Sequence, residues 1–166
     1  MPSRGLLSFP DPVNEDSARL VAGGVVVLSA LAIALDEPWL TAVIAYGFLA
    51  RVLAGPTFSP LAQLVTRVIT PRLPLAPRPV PGPPKRFAQG IGATVSVAAA
   101  LLALGLGLDT AAYAVLGVLI FAATLESVFG YCLGCKAFAV LMRAGVIPRE
   151  VCERCLDMGA QLPKRA

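Results

Sequence analysis

Two consecutive stretches of 22 residues, 87–108 and 110–131, hold a single charged side chain between them, Glu126. As helices rising 1.5 Å per residue, each reaches about 33 Å, enough for a hydrocarbon core of about 30 Å. Two shorter apolar blocks precede them: 20–35, without a charge, and 39–54, interrupted only by Arg51. At about 24 Å each, these cross a bilayer if Arg19 and Arg51 snorkel to the headgroups or the bilayer thins locally. A soluble bundle would need polar stripes at helical spacing, and the two long blocks have none. Composition agrees: 57% of the 166 residues are hydrophobic and 14% charged, with mean hydropathy +0.76, whereas about 25% charged is usual for soluble domains.

Charge placement sets an expected orientation. Of the 14 basic residues, two lie in 1–19, six run from Arg51 to Arg86, and six from Lys136 onward. The two short connections between paired blocks carry only Asp36, Glu37 and Asp109. Cytoplasmic loops collect Lys and Arg, so both termini and the central loop are expected in the cytoplasm. The net charge of +4 comes from these membrane flanks and calls for no nucleic-acid partner. Ala32-Ile33-Ala34 resembles a signal-peptide cleavage site, but the preceding segment carries Asp11, Glu15 and Asp16, unlike a short basic leader. A retained first span is expected.

The fold class predicted is an all-α integral membrane protein: four transmembrane helices as two hairpins, an interfacial amphipathic helix and a short C-terminal cytoplasmic helix. Its expected parts are a cytoplasmic segment (1–19), a first hairpin (20–54), a cytoplasmic loop (55–86), a second hairpin (87–135) and a cytoplasmic tail (136–166). Within the loop, Ser59-Pro60 is suited to open a helix, and Leu61, Leu64, Val65, Val68 and Ile69 follow at amphipathic spacing. Seven prolines in residues 71–84 predict an extended, semi-rigid spacer. Small residues recur at four-residue spacing, Gly90, Thr94 and Ala98, either as a close helix contact or by chance in an alanine-rich helix.

The chain has no histidine, which removes Ser-His-Asp triads, Cys-His pairs and mixed Cys/His zinc sites. Its four cysteines form two CxxC pairs, Cys132/Cys135 and Cys152/Cys155, with 16 residues between them. All four are expected on the cytoplasmic side, where thiols stay reduced and a stable structural disulfide is not expected. In one reading all four thiolates hold a structural zinc, since this spacing suits a four-Cys site. In another, a pair cycles between dithiol and disulfide, or carries sulfur as a persulfide. That chemistry needs a lowered thiol pKa. A chain break at Gly130 or Gly134 would supply one by opening a new helix at the pair, whereas an unbroken helix would not. In a third, the cysteines only pack. On an unbroken helix Glu126 lies about 240° around the axis from Cys132 and does not face it. An acid within a span is a functional candidate by default, set against a helix–helix hydrogen bond or a structural pairing with Arg51.

Asp11-Pro-Val-Asn14-Glu15, Arg86-Phe-Ala-Gln89 and the 129–135 segment, FGYCLGC, resemble an uncharacterised bacterial membrane family, domain of unknown function 4395. The resemblance runs from about Asp11 to Arg143. It implies a small multi-spanning inner-membrane protein, often found beside thioredoxin-like or sulfurtransferase proteins, and so favours thiol or sulfur chemistry at Cys132 and Cys135. The second pair lies beyond it, in a tail the shorter family pattern lacks. The expected function is therefore a thiol redox or sulfur-handling partner at the cytoplasmic face of a bacterial inner membrane. The alternatives are a non-enzymatic scaffold fastened by a zinc site at Cys132, Cys135, Cys152 and Cys155, and a small transporter using Glu126 and the thiols.

Overall fold

The computed structural model describes residues 9–74 and 78–152. Asn14 opens helix α1 (Glu15–Ala34): its Oδ1 accepts the Asp16 N–H at 3.1 Å, and Glu15 and Asp16 occupy the first turn, where carboxylates suit the positive helix end. Helix α1 thus starts five residues before the charge-free block. After a turn through Asp36, helix α2 (Leu40–Ala54) runs to Gly55. Ser59 caps α3 (Pro60–Leu64), its Oγ accepting the Ala62 N–H at 3.4 Å, as its sequence predicts. The path then continues through a π turn (Val65–Ile69) and a 3-10 turn (Thr70–Arg72).

The proline-rich stretch is extended at Pro79–Val80 but does not run as a spacer to its end. Strand β1 (Val13–Asn14) pairs antiparallel with β2 (Pro79–Val80), and α4 (Gly82–Ala100) begins inside the proline run. Pro83 and Pro84 fall in the first helical turn, where a missing N–H costs nothing. Asp11 Oδ1 meets the Gly82 N–H at 3.1 Å across the sheet, so the N-terminal segment caps a helix 71 residues away. Helix α4 ends in a π turn (Leu101–Gly105); α5 (Asp109–Phe129) and α6 (Leu133–Arg143) follow.

Four helical segments, Glu15–Ala34, Leu40–Arg72, Gly82–Gly105 and Asp109–Phe129, are long and apolar enough to cross a membrane. The second is broken at Gly55. The most extensive packing is between helices distant in sequence, α2 on α4 and α1 on α5. The core sets small residues, Ala22, Ala32, Ala93, Ala99 and Ala123, among Val25, Ile44, Phe48, Leu116 and Leu119, while Val27, Leu101, Val118, Phe121 and Val128 face outward. Large apolar side chains thus cover the outside of the bundle as well as filling it. This is what helices packed in lipid require, because small side chains let backbones approach and large apolar ones meet acyl chains. The packed stripe is Gly92, Ser96 and Ala99 on α4 and Ala103 in the π turn that follows, with Gly92 against the Phe48 ring. The row Gly90, Thr94, Ala98 does not form it: Thr94 and Ala98 are exposed and nothing approaches Gly90.

The arginines expected to snorkel are engaged within the protein. Arg19 donates from Nε to the Ser127 carbonyl at 3.2 Å and from Nη2 to the Val128 carbonyl at 2.8 Å, a cation at the negative end of α5. Arg51 is 5% exposed; its Nε donates to Gln89 Oε1 at 2.9 Å and its Nη1 to Ser59 Oγ at 3.2 Å.

Candidate functional site

The site forms because α5 stops. Gly130 adopts a left-handed conformation, φ 67°, and its N–H bonds the Glu126 carbonyl. Glycine reaches this region without the Cβ clash that other residues suffer. Cys132 then takes an extended conformation as the N-cap of α6. The break at Gly130 is thus the one of the two sequence alternatives that places the pair at a helix start. Gly134 lets the new helix lie against α4: a Cβ there would sit 2.6 Å from Ala88 Cα.

The Cys132 sulfur accepts the Cys135 backbone N–H at 3.3 Å and faces the Cys135 thiol, sulfur to sulfur, at 2.6 Å. Cys132 is buried and Cys135 half-buried, and both are free thiols. The S–H of Cys135 holds the Cys132 thiol below its ordinary range, aided by Lys85 and the Cys135 N–H and opposed by burial and Glu126. Cys135 is pushed up, first by its bond to Cys132 and then by burial. The shared hydrogen bond shifts the two thiols in opposite directions, Cys132 down and Cys135 up.

Behind the pair lies a helix–helix ion pair whose second member the sequence did not name. Glu126 bonds Lys85, Nζ to Oε1 at 2.7 Å, with side chains 15% and 9% exposed. The expected structural partner of Glu126, Arg51, instead bonds Gln89 and Ser59 and stacks over Phe48 at 4.4 Å. Because α4 begins at Gly82 rather than after the prolines, Lys85 enters its first turn on the buried face. The break at Gly130 likewise overturns the expectation that Glu126 faces away from the thiols. Both Glu126 and Cys132 line one cavity of about 300 Å³, with Arg51 and Gln89. A second cavity of about 340 Å³, walled by the N-terminal segment, shares Val21, Arg51 and Gln89 with the first and contains Lys85. Only the requirement that an acid inside a span have a partner pointed toward Lys85 in the sequence.

The second pair stands apart. Cys152 is disulfide-bonded, contrary to the expectation for the reducing side, and packs with Phe138 and Met142 of α6. Cys155 lies outside the described residues. Among the described residues, no group of three or more His, Cys, Asp or Glu side chains is placed to hold a metal.

Fold and site define a multi-pass helical membrane protein whose helix-capping dithiol stands at the end of a span. The chain belongs to the family described as Domain of unknown function (DUF4395), whose model matches residues 13–143, from β1 to the last residue of α6. Cys152 and Cys155 fall outside the match. No curated protein and no solved structure matches the chain.

Proposed function

We propose that this protein is a thiol-redox or sulfur-handling partner in a bacterial inner membrane, with Cys132 as nucleophile and Cys135 as its resolving thiol. The spans form two hairpins, α3 lies in the interface, and both termini and the thiols face the cytoplasm. The observation that carries this reading is the Cys132 sulfur at the N-cap of α6, receiving a backbone N–H and the neighbouring S–H together. A thioredoxin-like or sulfurtransferase protein is the proposed partner.

The Cys132 thiolate attacks one sulfur of a partner disulfide, and the other sulfur leaves as a thiolate. With Cys132 in a mixed disulfide, the hydrogen bond to its thiolate that raised Cys135 is lost, so Cys135 gives up its proton and attacks Cys132. The partner leaves as a dithiol carrying two electrons, and Cys132–Cys135 remains as a disulfide.

Thiol titration and metal analysis on protein purified without chelator test the reading. The expected result is a reversibly oxidised Cys132/Cys135 pair without stoichiometric metal. One zinc per chain with all four cysteines protected would establish the scaffold reading instead.

A further inference from the structure

Closing the Cys132–Cys135 disulfide releases a proton inside the bundle. Cys135 is half-buried, and burial still holds its thiol up once Cys132 is in a mixed disulfide. Before Cys135 attacks, its proton must pass to a base. The chain has no histidine to supply one. Lys85 and Glu126 each act electrostatically on both thiols. Of the two, the carboxylate can accept a proton, whereas an ammonium only donates.

Glu126 is placed for that role by the same turn that makes the pair. Its backbone carbonyl accepts the Gly130 N–H where α5 ends. Helix α6 then returns so that Cys132, Gly134 and Ala137 share a cavity of about 300 Å³ with Glu126. Proton transfer to a base works over one bridging water, and the cavity has room for water, which takes about 30 Å³ per molecule. Lys85 Nζ donates to Glu126 Oε1 at 2.7 Å and fixes the carboxylate from α4. A second acid, Glu15, reaches the turn from α1: its Oε1 stands 3.7 Å from where a Cβ on Gly130 would be. It is not among the residues that line the cavity. The charged and titratable groups facing Glu126 are thus Lys85 on α4, Arg51 on α2, the two thiols at the start of α6, and Arg19 and Glu15 of α1.

We propose that Glu126 is the proton acceptor of the resolving step, taking the proton of Cys135 as Cys135 attacks Cys132 in the mixed disulfide. The Cys135 S–H bond breaks and a Glu126 O–H bond forms. The Cys132–Cys135 S–S bond forms, the bond from Cys132 to the partner sulfur breaks, and that sulfur leaves with the electron pair as a thiolate. Negative charge moves from the carboxylate to the departing sulfur, so no new charge is created in the low-dielectric interior. This rests on the thiol-redox reading above and adds its general base.

The test uses the full chain carrying Cys152→Ser and Cys155→Ser, reduced, in lipid nanodiscs, mixed with one dithiodipyridine per chain. Thiopyridone is released twice, first as Cys132 attacks and again as Cys135 resolves the mixed disulfide. Glu126→Gln is expected to slow the second release about a hundredfold at neutral pH. Its rate should then climb about tenfold per pH unit, as hydroxide replaces the carboxylate, where the parent's is flat. The first release persists and reports a folded site. Lys85→Met/Glu126→Leu, which strands no charge, should show the same slow, hydroxide-dependent second release, and Glu15→Gln the parent's. A second release that Glu126→Gln leaves alone in rate and pH dependence, or that Glu15→Gln slows instead, overturns Glu126 as the acceptor and leaves the thiol-redox reading standing. Loss of both releases in both Glu126 variants would make the carboxylate structural and overturn it too. A parent that forms no Cys132–Cys135 disulfide overturns both readings.

Discussion

Cys132 and Cys135 are chemically identical in the sequence, and their inequality arises from which sulfur receives the hydrogen bonds. Cys132 collects the Cys135 N–H and S–H and is held below the ordinary thiol range, while Cys135 is raised. Alkylation of Cys132 by iodoacetamide should therefore reach half its maximal rate at a pH below the usual value of about 8.5. Replacing Cys135 with Ala removes the S–H donor and should move that midpoint upward; peptide mass spectrometry against pH reads it, and an unmoved midpoint contradicts the assignment. The second residue-scale prediction concerns Lys85. In Lys85→Met, Glu126 is left uncompensated among helices, at a cost of about 3–5 kcal/mol. The double variant Lys85→Met/Glu126→Leu should recover most of that loss, since it removes the stranded charge. Thermal unfolding in detergent compares the two.

Among the elements, α6 depends on a contact without a side chain to mark it. Gly134 admits Ala88 of α4 so closely that Gly134→Val must push the helices apart, an overpacking cost of about 1–3 kcal/mol. Its thiols should then alkylate faster than the parent's at the same pH, because α6 no longer covers Cys132; an unchanged rate would mean that α6 does not shield the site. Helix α4 shows what sequence patterning could and could not give. Its apolar body was plain from 87–108, and Ser59 as the α3 cap was plain from type and position. Its start was not, because prolines read as helix breakers are tolerated in a first turn. Whether they occupy one depended on Asp11, 71 residues away, capping Gly82. That shift of five residues turned Lys85 from a loop charge into the partner of Glu126.

For the whole molecule, four spans with basic flanks at one end make a topological prediction. In spheroplasts or oriented vesicles, Glu37→Cys and Arg72→Cys should label with a membrane-impermeant maleimide from opposite faces, measured above the parent's own cysteines. Labelling from the same face would overturn the proposed two-hairpin topology. The ends of the bundle already differ chemically: Arg19, Arg51, Lys85 and Cys132 meet at one, while Asp36 accepts from the Tyr113 hydroxyl at 2.9 Å at the other. The number of apolar spans and their central bodies, the end that carries the cations and the candidate thiols were legible in the sequence, because hydropathy, charge and CxxC spacing are local properties. The neighbours of those thiols were not. Which helix faces which depends on small residues such as Gly92 and Gly134 fitting a particular surface. The direction of the chain after α5 depends on one left-handed glycine. Only the packed structure, by turning the chain at Gly130 and drawing α4 inward at Gly82, places a helix-capping cysteine beside the buried Lys85–Glu126 pair.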